Sequence, residues 1–213
     1  TLSGYVYNNE VFTYGIVDSL HYSEASSFFC YLLPGQLPGD VRQRIESAAI
    51  TVMKFLGFNN SPFNIEFFYD QEQDRIYILE INPRMSQSHS YLYAQVKGRS
   101  NHQVLINLAL GEKPQIRHKT GPDNYAGKFQ YRFFHDGIVE KTPGRREILE
   151  LEQQYPNAKI HVTVQEGDKL SEMKISDAYS YDVAEIFLAA TTKEKLFDTY
   201  NEVKDKLDIR VKQ

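Results

Sequence analysis

Phe63-Asn64-Ile65-Glu66-Phe67-Phe68-Tyr69 and, eight residues after it, Ile78-Leu79-Glu80-Ile81-Asn82-Pro83-Arg84 decide how this chain is read. Both runs are rich in aromatic and β-branched residues. Asp70-Gln71-Glu72-Gln73-Asp74 between them has the polarity of a hairpin loop, so the two runs are expected to form an antiparallel pair. With Tyr69 paired to Arg75, Ile78 falls opposite Glu66 and Glu80 opposite Asn64. Side chains alternate along a strand, so Asn64, Glu66, Ile78, Glu80 and Asn82 are expected on one face.

Two carboxylates among Ile, Leu and Phe cost several kcal/mol if they are buried without compensation, so the pattern calls for a cation. Mg²⁺ suits it, because it binds through one or two carboxylates together with substrate phosphates and seldom takes a full protein cage. Pro83 cannot donate to a ladder and should end the strand, which puts Arg84 on the rim. A guanidinium there matches phosphate or acyl-phosphate oxygens.

The order Asn-x-Glu, hairpin, Leu-Glu-x-Asn-Pro-Arg, then Ser86-x-Ser88-x-Ser90 resembles the C-terminal half of the ATP-grasp fold, in particular its carbamoyl-phosphate synthetase large-chain and biotin carboxylase branch. The resemblance implies an α+β chain. Residues 1–115 would be the C-terminal lobe of the ATP-grasp domain, an antiparallel sheet with packed helices, and residues 116–213 a small α+β domain. It implies ATP with Mg²⁺ or Mn²⁺ as cofactors. Glu66 would be a metal ligand, Glu80 would bridge the metals that hold the β- and γ-phosphates, Asn82 would complete the metal site, and Arg84 would orient the acid that is phosphorylated.

Two positions depart from the family. Gln87 stands where carbamoyl-phosphate synthetases carry a second arginine, and His89 where a serine is usual. One cation fewer weakens the case for bicarbonate and favours another acid substrate. Ser86, Ser88 and Ser90 are candidates for substrate contact or for capping the next helix, and His89 for contact with the acceptor, for proton transfer or for packing.

The other motifs are less informative. His21, His102, His118, His135 and His161 lack zinc-ligand spacing. Cys30, the only cysteine, follows Phe28-Phe29 and reads as a buried small hydrophobe. No Gly-x-x-x-x-Gly-Lys-Ser/Thr or Gly-x-Gly-x-x-Gly loop occurs. The chain also starts, without methionine, at a strand that the family places after its phosphate-holding lobe. It is therefore expected to be the C-terminal portion of a longer protein and to bind ATP poorly alone.

The 213 residues include 15 Tyr and 13 Phe, and 41% are hydrophobic, enough for real cores. A formal charge of −4 and the scattered basic residues argue against nucleic acid, and no run approaches the roughly 18 apolar residues of a membrane span. The expected partners are a small-molecule carboxylate and a nucleophile, with neither nucleic acid nor membrane. A homo-oligomer is compatible with the sequence, and the expected location is the cytoplasm.

Around the central hairpin, Leu2–Asn8 and Glu10–Leu20 read as strands turned at Asn8-Asn9, with a third strand near Phe28–Leu33. Asp40 is expected to cap a helix with Val41, Ile45, Ala48, Val52 and Phe55 on its apolar face, ended by Gly57. Ser100-Asn101-His102-Gln103 matches a capping box before Val104, Leu105, Leu108 and Ala109. Farther on, Tyr125–Phe134 and Ile160–Val164 read as strands, Arg145–Gln154 as a helix, and Tyr181–Ala190 as a strand or the start of a helix. A last helix has Leu196, Tyr200, Val203 and Leu207 on one face.

The function expected is an ATP-dependent ligase that phosphorylates a carboxylate and passes the acyl phosphate to an amine or similar nucleophile. The alternatives are a bicarbonate-using carboxylase or carbamoyl-phosphate type of enzyme, and a non-catalytic nucleotide-binding module.

Overall fold

A computed structural model describes residues 1–23, 25–115, 120–173, 177 and 180–213. His118 lies outside the described residues. The chain divides into two compact units, Thr1–Asp18 with Leu32–Pro122, and Ser19–Tyr31 with Asp123–Gln213.

The first unit is built on four antiparallel strands. They are β1 (Leu2–Tyr7), β2 (Glu10–Ile16), and the central hairpin β5 (Ser61–Asp70) and β6 (Arg75–Asn82), in the order β2-β1-β5-β6. Asn8 and Asn9 turn β1 into β2 with φ of 49° and 65°, the left-handed conformation that asparagine tolerates best after glycine. Asn60 and Asn59 hold that turn by accepting from the Asn8 and Asn9 amides at 3.0 and 2.9 Å.

Helix α1 (Gly39–Phe55) covers one face of this sheet. Its Val41, Ile45, Ala49 and Met53 are buried against Leu2, Val6, Ile16, Phe63 and Ile65. Each large side chain buried there contributes roughly 1.5–3 kcal/mol from removal of apolar area. The stripe therefore steps by four and runs through Ala49 and Met53, not through Ala48, Val52 and Phe55. Phe55 is 89% exposed. The N-cap is Pro38, which has no side-chain oxygen to offer, and Asp40 sits inside the first turn instead of capping it. Gly57, at φ 64°, ends the helix as expected.

After β6 come a 3-10 turn at Gln87–His89, helix α2 (Ser90–Lys97) and helix α3 (Asn101–Ala109). Ser100 is the N-cap of α3, but its side chain makes no capping bond, so the expected capping box does not form. Val104 and Leu108 are buried while Leu105 is exposed.

A five-stranded sheet, whose residues other than Asp18, Leu32 and Leu33 belong to the second unit, is ordered β3-β4-β7-β10-β9 and made of Asp18–His21, Phe28–Leu33, Tyr125–Phe133, Tyr181–Ala190 and Lys159–Val162. Strand β8 (Ile138–Lys141) pairs with β11 (Arg210–Lys212) in a separate two-stranded sheet, and neither was expected from the sequence. Helix α4 spans Arg145–Gln154, and α5 (Lys193–Lys206) starts at Thr192, whose side chain accepts from the Lys195 amide. Leu196, Tyr200 and Val203 of α5 are buried, and Phe129 stacks on Tyr200 at 4.3 Å between ring centres. Cys30 is 1% exposed, and burial pushes its thiol far above the ordinary range, so it is an inert core residue.

Candidate metal and nucleotide site

The central hairpin closes one residue later than the sequence register: Asp70, not Tyr69, pairs with Arg75. The ladder then runs Tyr69 to Ile76, Phe68 to Tyr77 and Phe67 to Ile78. A bulge at Leu79 re-sets it, so that Glu66 pairs with Glu80, Ile65 with Ile81 and Asn64 with Asn82. The expected pairing of Ile78 with Glu66 and of Glu80 with Asn64 is thereby corrected. The physical cause is the extra residue on β6, which re-aims the strand after it. Asn64, Glu66, Glu80 and Asn82 share a face, and Ile78 pairs with Phe67 instead of joining them.

This row runs across the sheet. Asn82 pairs with Asn64, Asn64 with Ser3, and Ser3 with Gly15. The neighbouring row, Ile16, Leu2 and Ile65, is buried against α1, so the polar row looks away from that helix. Asn64 and Asn82 are buried at 2% and 6% exposure, whereas Glu66 is half-buried and Glu80 exposed. The acids thus stand on an open face, and the burial cost expected from the sequence is smaller than a closed core would impose. What remains is the mutual repulsion of two carboxylates directly opposite one another, where Cβ atoms are about 4.5–5.5 Å apart.

The residues fit a divalent metal of the Mg²⁺ class. Asn82 Nδ2 is buried and has no hydrogen-bond partner among the described residues. Exchange of the amide oxygen and nitrogen leaves the shape of the side chain unchanged, so the orphaned position can equally hold an oxygen acceptor. Two carboxylates and an amide oxygen are hard donors and leave further positions for phosphate and water. Among the described residues no group of three or more His, Cys, Asp or Glu side chains could hold a metal, so the donor set is smaller than that of a structural metal site.

Strand β6 ends at Asn82, before Pro83, and Arg84 is exposed on the rim. Among the described residues Arg84 Nη1 donates to the carbonyl of its neighbour Met85 at 3.4 Å. Ser86 and Ser88 are half-buried, and the Ser86 side chain makes no capping bond to the 3-10 turn. His89 is 3% exposed and edge-on to Tyr93 at 6.3 Å, an environment of packing. The row of acids and Arg84 lie at the β6 edge of the sheet. At the opposite edge Thr13, Gly15, Pro34, Arg42, Glu46 and Lys97 line a separate cavity of about 340 Å³.

The second unit holds a charged cluster that the sequence reading missed. Arg132 meets Asp177 at 3.0 Å and Asp182 at 3.8 Å, and Lys128 meets Glu185 at 2.6 Å. Burial pushes the Asp182 carboxyl up to about 6 in spite of the Arg132 guanidinium. The available signal was a period-2 polar pattern, Lys128, Gln130 and Arg132, on one face of β7.

Residues 34–116 match the family model described as carbamoyl-phosphate synthase L chain, ATP binding domain. Over 128 residues the chain is 32% identical to the carbamoyl phosphate synthase large chain of Xylella fastidiosa, covering 58% of this chain and 11% of that protein. It superposes on phosphoribosylglycinamide synthetase from Anaerococcus prevotii with a TM-score of 0.75 at 16% identity, covering 99% of this chain and 52% of that one. For the L-amino acid ligase from Bacillus licheniformis the TM-score is 0.73 at 19% identity, covering 100% and 51%. A third structure is the biotin carboxylase domain of 2-oxoglutarate carboxylase from Hydrogenobacter thermophilus, a dimer in complex with MgADP and bicarbonate. There the TM-score is 0.66 at 17% identity, with 99% and 46% covered. Residues 34–116 are thus similar to that ATP-binding domain, and the chain has the ATP-grasp fold of these solved structures. It spans about half the length of these ATP-grasp structures and about a tenth of the curated relative. Among the described residues no helix is long and apolar enough to cross a membrane.

Proposed function

We propose that the protein to which this chain belongs is an ATP-dependent ligase. It transfers the γ-phosphoryl group of ATP to a small carboxylic acid, releasing ADP, and the acyl group of the resulting acyl phosphate passes to an amine or similar nucleophile with release of phosphate. The observation that carries the reading is the direct pairing of Glu66 with Glu80 one step from Asn64 and Asn82, on an open sheet face whose end releases Arg84. Magnesium bound with ATP supplies charge neutralisation at the phosphates. Glu66 and Glu80 hold it through carboxylate oxygens and Asn82 through its amide oxygen, and the matched ATP-binding domain agrees with that role. Arg84 binds an oxygen of the acid and steers it into line with the γ-phosphate, so catalysis rests on positioning and electrostatics. Ser86 and Ser88 offer hydroxyls to the acid from the same loop. His89, buried beside Tyr93, is the histidine next to these serines and is assigned to the acid or its acceptor.

A second reading is favoured by two observations: the sequence relatives carry the name carbamoyl phosphate synthase, and one structural neighbour is in complex with bicarbonate. Under it the acid is bicarbonate, and Gln87 takes the place of a second cation. An ADP-release screen of the full-length protein against amino acids, small organic acids and bicarbonate separates the two. Release driven by an organic acid plus an amine supports the ligase, and release driven by bicarbonate alone supports the second reading. No release with any acid rejects both and leaves a nucleotide-binding module.

A further inference from the structure

The loop that follows β6 carries the groups assigned above to the acid substrate, yet residues 83–86 belong to no helix or strand. Such a segment is held in place only where other groups take its polar backbone atoms. Two of its carbonyls are taken by buried asparagines from elsewhere in the first unit. Asn64 Nδ2, from β5, donates to the Arg84 carbonyl at 2.9 Å. Asn101 Nδ2, from the first residue of α3, donates to the Ser86 carbonyl at 2.6 Å. Asn101 Oδ1 in turn accepts from Ser90 Oγ at 2.6 Å, at the start of α2. Asn64 is 2% exposed and Asn101 fully buried.

A carbonyl only accepts, so each Nδ2 must face the loop and both amide orientations are fixed by their partners. A polar side chain held in the interior costs free energy unless its bonds are made, and these two make theirs to the loop. Asn101 lies within the segment read as a capping box, but its side chain turns inward to the Arg84–Ser90 loop while Ser100 makes no cap.

We propose that Asn64 and Asn101 form a two-point clamp of positioning residues. They hold the Arg84 and Ser86 carbonyls and thereby aim the Arg84 guanidinium and the Ser86 and Ser88 hydroxyls at the acid substrate. The catalytic half of the inference rests on the ligase reading, and the mechanical half does not. The clamp is specific for a donor. Aspartate keeps the shape of asparagine but turns an oxygen toward the carbonyl, so Asn64→Asp and Asn101→Asp release the loop, whereas Ser90→Ala removes only the bond behind Asn101 and leaves the one to Ser86.

The test has two readouts. In this chain, amide-nitrogen relaxation gives order parameters for Met85–Ser88. The expected result is about 0.85 in the wild type and in Ser90→Ala, falling below about 0.6 in either aspartate variant, with β1 and β5 unchanged. Should an aspartate variant fail to fold, Asn64→Ser and Asn101→Ser, too short to reach the carbonyls, are expected to loosen the same four residues. Order parameters that stay at the wild-type value in the folded variants overturn the clamp. In the full-length protein, steady-state ADP release by Asn101→Asp, whose residue lies on α3 and not in the row of metal-binding side chains, is expected to show kcat with the acid reduced by about 100-fold while KM for MgATP is unchanged, because misplacement by about 1 Å costs that much. Equal losses in kcat and in ATP affinity would assign the asparagines to folding alone and overturn the positioning role. A wild type that releases no ADP with any acid, together with a loosened loop in the variants, rejects the ligase reading and keeps the clamp.

Discussion

Glu66 and Glu80 stand directly opposite each other on β5 and β6, because the bulge at Leu79 shifts the ladder by one residue. Like charges at directly opposed positions destabilise a sheet. Without metal, Glu80→Gln is therefore expected to raise the thermal stability of this chain, by about 0.5 kcal/mol at low salt, and less at high salt where the repulsion is screened. Thermal unfolding in chelator at two ionic strengths measures it. A lower melting temperature for the variant would mean that the two acids do not repel.

Met53 and Phe55 separate the observed helix face from the face read off the sequence. Met53 is 1% exposed inside the α1 core, and Phe55 is 89% exposed. Met53→Ala should cost about 2–5 kcal/mol by opening a cavity, and Phe55→Ala should stay within about 0.5 kcal/mol. Urea denaturation of both variants decides it, and a reversed order would place the helix on its other face.

Gly4 admits no side chain. A Cβ there would lie 2.5 Å from the Phe12 carbonyl oxygen and 2.5 Å from the Phe63 ring. Gly4→Ala is expected to destabilise by about 1–3 kcal/mol, the usual cost of overpacking, and to disturb the β1–β2 pairing that bulges at this point. Denaturant unfolding with β-sheet circular dichroism reads both effects.

Asp182 gives the second unit a pH dependence of definite sign. Its carboxyl is raised from 3.8 to about 6, first by burial. Between those values the folded chain keeps a proton that the unfolded chain has lost, so this group's contribution to stability falls as pH rises from about 4 to about 6 and is constant above. Asp182→Asn removes that loss. Its melting temperature relative to the wild type should climb between pH 4 and 6.5 and then level off. A difference that moves the other way would mean that the Arg132 attraction outweighs the burial of the acid.

Much of this was legible because the chemistry sits in local patterns. Alternating aromatic and β-branched residues marked the central hairpin, Asn8-Asn9 marked the turn of the first, Pro83 marked the end of β6, and the Leu196, Tyr200 and Val203 spacing marked α5. The register was not legible, since a bulge at Leu79 leaves no trace in a period-2 pattern until the partner strand is known. The Ala48–Phe55 face was misread because α1 carries apolar residues on adjacent stripes, and only the sheet decides which one is buried. That Ser19–Tyr31 groups with the later residues was hidden for the same reason: strand pairing at long separation is set by packing, not by neighbouring residues. The inward turn of Asn101 was masked by a capping-box pattern that predicts an exposed cap.

In the proposed function Glu66, Glu80 and Asn82 grip one divalent ion together with ATP. Mn²⁺ titration of the full-length protein in the presence of ATP, followed by electron paramagnetic resonance, tests this most directly. The wild type should bind the ion tightly, Glu66→Gln and Glu80→Gln should each weaken binding by about tenfold or more, the loss of roughly 1.4 kcal/mol or more, and Glu10→Gln at the far edge of the sheet should leave it unchanged. Unaltered Mn²⁺ affinity in both hairpin variants would contradict the account.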